Sequence, residues 1–188
     1  MQMQPIVQKA LEVVEQGGTL LFPTEMGWAL GCDATQPAAV SQICSLKNTS
    51  DPRSMYCLVG TDRQLEQLIP QFPEVAWDLI DLSEKPLIIV YDHPKGVAPN
   101  LVSEGNTLGI CLTSHPFCRE LLRRLRRPLA CTPPHLRGAA APGRFSEIAP
   151  AILNAVDYVV PLEQESLKST PPTLIQLKAD GQVRVIRP

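Results

Sequence analysis

Histidine is scarce in this chain, with three among 188 residues, and none stands at metal-ligand spacing. No Cys-x-x-Cys pair is present either, so the usual signs of a structural zinc site are missing and no protein-bound metal is expected. No apolar run approaches the roughly 20 residues that span a bilayer. The opening MQMQPIVQKALEVVEQGG has an amphipathic helical pattern and lacks the charged-then-apolar order of a signal peptide. A cytoplasmic, reducing setting without membrane contact is therefore expected. Charge of one sign is also lacking: the formal net charge of -2 predicts no general affinity for polyanions, so any contact with RNA would be local. Aromatic residues make up 5% of the chain and do not interleave with the arginines of RELLRRLRR. That stretch reads as a solvated helix face, with phosphate contact by one or two arginines as the alternative.

What is present is a globular composition, 44% hydrophobic and 19% charged, at a length suited to one domain over residues 1–188. Six cysteines lie scattered through apolar stretches and read as core thiols. Apolar residues recur at helical spacing over residues 6–15, and Gly17 and Gly18 stop that helix before a short strand, TLLF. A loop PTEMGW follows, then a helix from Pro37 that ends near Lys47, then the polar loop NTSDPRS. Further apolar strands are expected at 55–59, 86–90, 108–112 and 128–132, with short helices at 62–68 and 74–82 and a basic amphipathic helix at 116–126. Another helix, EIAPAILNA, and a strand, DYVVP, come next; strands TLIQLK and QVRVIRP flank Asp180-Gly181, which marks a hairpin. Strands and helices mix without strict alternation, so the expected class is α/β with a twisted mixed sheet.

The run Pro23 to Ala34, PTEMGWALGCDA, is the leading site candidate, because Pro23 and Thr24 stand at the mouth of a buried strand where a hydroxyl can face a ligand. Lys47 has two readings: a charge that complements the C-terminal end of its helix, or a phosphate ligand. Trp28 is either core or a ring that stacks on a base or lines an amino-acid pocket. His135, after two prolines, is either a solvated loop side chain or a donor in a binding loop.

At PTEMGW, at Lys47, at PLACTPPHLRG and at PPTLIQL followed by VRVIRP, the sequence resembles the YrdC/TsaC family of L-threonylcarbamoyladenylate synthases over nearly its whole length. Members carry a PTDT(V/I)(Y/W)G(L/I) loop after the first strand, a lysine and arginine two apart after the next helix, and a serine-alanine-asparagine turn after a later strand. The resemblance implies a twisted mixed sheet flanked by helices, with a concave, positively lined face. It implies ATP, threonine or another amine, and bicarbonate as substrates, with Mg²⁺ on the phosphates, in a nucleotidyltransferase reaction that serves tRNA modification. Such chemistry asks the protein mainly to position reactants and neutralise phosphate charge.

Carried over by position, Thr24 and Lys47 are the catalytic candidates, and Thr24, Met26 and Trp28 form the amino-acid pocket. Lys47, Arg53, Ser54, Thr132, His135 and Arg187 are the nucleotide-binding candidates. Departures gather at ligand positions. Met26 replaces the second threonine of the loop, Thr49 the arginine paired with the lysine, and Cys111 an arginine at the opening of a strand. Pro133, Pro134 and His135 replace the serine-alanine-asparagine turn, and Pro172 replaces a serine. Each lost cationic contact is expected to cost about 2–4 kcal/mol of transition-state stabilisation. Two such losses amount to roughly three to six powers of ten in rate, unless Arg53, Arg137 or Arg144 substitutes. The alternative reading is a catalytically inactive paralogue that binds a nucleotide, RNA or a protein partner.

Overall fold

The computed structural model describes residues 2–188; the side chain of Arg53 lies outside the described residues. Helix α1, Met3–Glu15, buries Ile6, Val7, Ala10 and Val14 on one stripe and stops at Gly17, whose φ of +80° suits a residue without Cβ. Strand β1, Leu20–Thr24, is buried throughout. Where the sequence suggested a loop from Pro23 onward, the chain instead turns tightly through Glu25 and Met26 and returns as β2, Gly27–Asp33. The two strands pair antiparallel from Leu20↔Gly31 to Thr24↔Gly27. All seven residues of β2 are buried, so the strand carries no in-out alternation of hydrophobicity that would have betrayed it.

Helix α2, Pro37–Leu46, starts on its proline as expected. Strand β3, Tyr56–Val59, precedes α3, Asp62–Leu68, which is capped by the Thr61 hydroxyl accepting from the Gln64 N–H. Helix α4, Val75–Asp81, then β4, Leu87–Asp92, and β5, Thr107–Leu112, follow. Helix α5, Pro116–Leu125, buries Phe117, Leu121, Leu122 and Leu125, the face expected from its spacing. Strand β6, Leu129–Thr132, α6, Pro150–Ala155, the two-residue β7, Tyr158–Val159, and the hairpin of β8, Thr173–Leu177, with β9, Val183–Arg187, complete the chain. Gly181, at φ +88°, makes the turn read from Asp180-Gly181.

One mixed sheet in the order β7-β1-β2-β6-β3-β5-β4-β8-β9 unites these strands. Pairs β1/β7, β3/β5 and β4/β8 are parallel and the others antiparallel. Alternate residues of β1 feed two cores: Leu20 and Phe22 pack with α1 and α5, whereas Leu21 packs with α2, α3, α4 and α6. Helices thus cover both faces, which is why the central strands read as continuous apolar runs. All six cysteines are buried free thiols. Among the described residues no helix is long and apolar enough to cross a membrane.

Candidate active site

A cavity of about 530 Å³ opens between β-strand ends, and its floor is a patch of sheet formed by Tyr56, Ile88, Val90, Gly109 and Leu174. Gly109 keeps that floor low, since a Cβ there would stand 3.0 Å from the Ile88 side chain. The hairpin turn between β1 and β2 forms one wall with Thr24, Met26 and Trp28. Pro133 and Pro134, just past β6, form the next, and Ser169, Pro171 and Pro172 cross the mouth.

That crossing segment is tied down. The Thr170 N–H donates to the Met26 carbonyl at 3.0 Å, the Ser169 hydroxyl to the same carbonyl at 3.3 Å, and the Ser169 N–H to the Gly143 carbonyl at 2.9 Å. Gly27 makes the close approach feasible: it sits at φ +117°, and a Cβ there would lie 3.0 Å from the Ser169 backbone. Glu25, beside it in the turn, accepts from the Thr113 hydroxyl at 2.8 Å and the Ser114 N–H at 2.9 Å. The turn is therefore anchored on both sides.

Thr24 lines the cavity, but its hydroxyl is engaged inside the hairpin. It donates to the Gly27 carbonyl at 2.8 Å and accepts from the Met26 N–H at 3.1 Å. Trp28 packs in the core, its ring on Phe145 with centroids 4.9 Å apart, and it also lines the cavity. The Trp28 indole N–H is buried and has no hydrogen-bond partner among the described residues.

Of the two readings of Lys47, the exposed helix-end charge does not hold. Only 6% of it is exposed, and its Nζ leaves α2 altogether to donate to the Thr132 hydroxyl at 2.7 Å and the Pro133 carbonyl at 2.9 Å. Burial lowers its pKa to about 8. The ammonium thus sits behind the Pro133-Pro134 wall, bound to the same two residues through which β6 enters it. Its own carbonyl accepts from the Arg137 N–H at 2.9 Å, which fixes the loop after β6 to the end of α2.

Arg187, in the last strand, lines the opposite rim and directs Nε and Nη2 to the Pro172 carbonyl, each at 3.3 Å. Ser54 is exposed on the rim. Thr132 is buried behind it as acceptor for Lys47. His135 lies beyond the wall, its Nδ1 3.1 Å from the Leu136 carbonyl, and Arg137 and Arg144 are exposed and outside the described lining. Thr49 closes the turn after α2, donating its N–H to the Cys44 carbonyl.

Cys111 requires a correction. It does not open its strand but lies near the end of β5, two positions past Gly109, with its thiol 3.9 Å from Glu25 Oε1 and its pKa raised by burial. The strand opens at Thr107, which lines the cavity and whose hydroxyl bonds that of Ser103 at 2.7 Å. Sequence reasoning also missed the floor and, apart from Pro172, the crossing segment. A glycine in an apolar strand is a weak hint of close approach, and only the prolines of STPP marked the segment as extended. Among the described residues no group of three or more His, Cys, Asp or Glu is placed to hold a metal ion.

A nine-stranded mixed sheet covered by helices, with a cavity whose lining includes Arg187 from the last strand, defines an α/β protein. The chain belongs to the Sua5/yciO/yrdC family, whose model, described as "Telomere recombination", matches residues 12–188. It is 31% identical to a threonylcarbamoyl-AMP synthase of Hahella chejuensis over 67% of this chain and 69% of that protein. The solved structure of Escherichia coli YciO superposes with a TM-score of 0.83 at 26% identity, covering 99% of this chain and 89% of that one. The fold is shared with P. abyssi Sua5 complexed with L-threonine, at a TM-score of 0.80 and 22% identity over 94% of this chain. This chain spans about half the length of that Sua5, 52%.

Proposed function

We propose that the cavity holds ATP beside an amine and bicarbonate and makes a carbamoyl-adenylate, the reaction type named for the threonylcarbamoyl-AMP synthases that this chain resembles. The amine nitrogen adds to the bicarbonate carbon and water leaves, giving a carbamate. A carbamate oxygen then bonds to the α-phosphorus of ATP while the bond from that phosphorus to the bridging oxygen breaks, and pyrophosphate departs with the electron pair. No covalent intermediate on a side chain is needed, so the protein's contribution is orientation and charge. Mg²⁺ would arrive on the phosphates and neutralise them there.

The observation that carries this reading is Lys47: a buried ammonium, 2.7 Å from Thr132 and 2.9 Å from Pro133, set behind the Pro133-Pro134 wall of the cavity. Its two hydrogen bonds are to neutral oxygens, so the buried charge still has no anionic partner among them. Pyrophosphate release from ATP, made dependent on bicarbonate and an amino acid, tests it. The Lys47→Ala variant is expected to lose roughly 10²–10³ in kcat/KM, and equal turnover by both proteins would defeat the assignment.

A second reading, nucleotide, RNA or protein binding without catalysis, draws on the poverty of charge: Arg187 is the sole charged side chain among the described lining residues. Absence of pyrophosphate release alongside saturable MgATP binding would favour it.

A further inference from the structure

We propose that the cavity-side face of the β8–β9 hairpin, carrying Arg184 and Arg187, binds the β- and γ-phosphates of the nucleotide and so receives the departing pyrophosphate. Placing those phosphates there rests on the reading of the cavity as an ATP site and adds a subsite beyond its lining.

The sheet register fixes the placement. One row of paired residues crosses five strands: Tyr56 on β3, Gly109 on β5, Val90 on β4, Gln176 on β8 and Arg184 on β9. Residues paired in register share a face, and the first three of this row line the cavity. The row therefore carries the cavity floor outward onto Gln176 and Arg184, with Arg184 two strand spacings, about 10 Å, beyond Val90. A neighbouring row ends the same way, since Leu174 lines the cavity and pairs with Arg187. Arg184 and Arg187 are three apart in sequence, which in a regular strand would put them on opposite faces. The register of β9 slips where Leu174 pairs Arg187 and Ile175 pairs Val185, so Ile186 is passed over and both arginines come to one face.

Both guanidinium groups are available to a ligand. Arg184 is exposed and makes no hydrogen bond or ion pair among the described residues. Arg187 gives Nε and Nη2 to the Pro172 carbonyl, and its Nη1 is unengaged among the described residues. Asp92, the carboxylate that follows Val90 on the same face of β4, accepts from the Ala179 N–H at 3.2 Å and pairs with neither arginine among the described residues. Gln176, half-buried beside Arg184, adds an amide donor. The partners Gln176 and Leu174 are two residues apart, so the arginines stand about 7 Å apart along the strand, within reach of adjoining phosphates of one chain. Two cations held on one face repel, and a polyphosphate relieves both while matching each guanidinium fork with paired oxygens. RNA fits less well, because no Tyr, Trp or Phe stands on β8 or β9 for a base to stack on.

Calorimetric titration of the full chain and of Arg184→Gln with MgATP, AMP and magnesium tripolyphosphate tests the assignment. The substitution is expected to weaken MgATP and tripolyphosphate roughly tenfold or more and to leave AMP, which lacks the outer phosphates, unchanged. Arg184→Lys, which keeps the charge and loses the fork, should fall between. A circular dichroism melt checks the fold of each variant, and tripolyphosphate binding by the unmodified protein is expected whether or not a variant folds. Equal MgATP affinity in Arg184→Gln overturns the proposal, as does an equal loss for MgATP and AMP, a loss confined to a single-stranded RNA oligonucleotide, or no binding of tripolyphosphate at all. The broader reading fails separately: tripolyphosphate binding that depends on Arg184, without pyrophosphate release from ATP, sinks the proposed catalysis and leaves the phosphate subsite intact.

Discussion

Lys47 illustrates how far a single residue could be read from sequence. Its match to a family lysine was visible, but its burial was not, because nothing local indicates that a side chain at a helix end will turn across to β6. The environment has a thermodynamic consequence. Lys47 falls from about 10.5 to about 8 in the folded chain, so between those values the unfolded chain binds more protons and the lysine's contribution to stability rises with pH. The buried thiols act oppositely: Cys32 rises from about 9 to about 12, and Cys57, Cys111, Cys118 and Cys131 are also raised by burial. Above pH 9 the unfolded chain releases those protons first, and stability falls. Denaturant titrations from pH 8 to 10.5 should therefore show overall alkaline destabilisation. Subtracting the Lys47→Met variant should reveal an opposing lysine term that grows by about 1–3 kcal/mol in favour of the natural protein. A difference that is flat with pH would contradict the burial of the amine.

Thr24 and Met26 carry the same lesson for polarity. Residue identity placed both at the cavity, and the structure adds that the Thr24 hydroxyl is spent inside its own turn. Residue type alone cannot tell a free hydroxyl from an engaged one. Cys111 was misplaced for a different reason: the strand was read at 108–112 and runs over Thr107–Leu112, so its bounds were nearly right, and the error lay in matching a residue near the strand's end, with its thiol beside Glu25, to a strand-opening position of the family.

Among the elements, most helices and apolar strands were legible because spacing, proline starts and turn glycines agree. The β1–β2 hairpin was not. Its two turn residues, Glu25 and Met26, are neither Asn-Gly nor Asp-Gly, and the positive φ falls on Gly27, just inside β2. That glycine also admits the crossing segment at Ser169. Replacing Gly27 with alanine should cost about 1–3 kcal/mol through backbone strain and the Ser169 clash. The expected fall in Tm is about 2–12 °C for a chain of this size, read by scanning calorimetry. An unchanged Tm would mean that the segment does not press on the hairpin as described.

The whole molecule shows why the family was easier to recognise than the cavity. The α/β class follows from local patterns, whereas the cavity floor draws on β3, β4, β5 and β8, which become neighbours only through the sheet order. No local signal announces that Tyr56, Gly109 and Leu174 will share one surface. The rim draws on the last strand, from which Arg187 returns, while Lys47 crosses from α2 to β6 behind the Pro133-Pro134 wall. The consequence is a largely apolar hollow with Arg187 on its rim and Lys47 behind one wall, and the proposed function seats a nucleotide in it.

Calorimetric titration of the protein with MgATP measures this directly. Saturable binding of one nucleotide per chain is predicted, weakened roughly tenfold to a hundredfold by Lys47→Ala with the fold intact. No binding by the unmodified protein, or the same affinity in the variant, would contradict it.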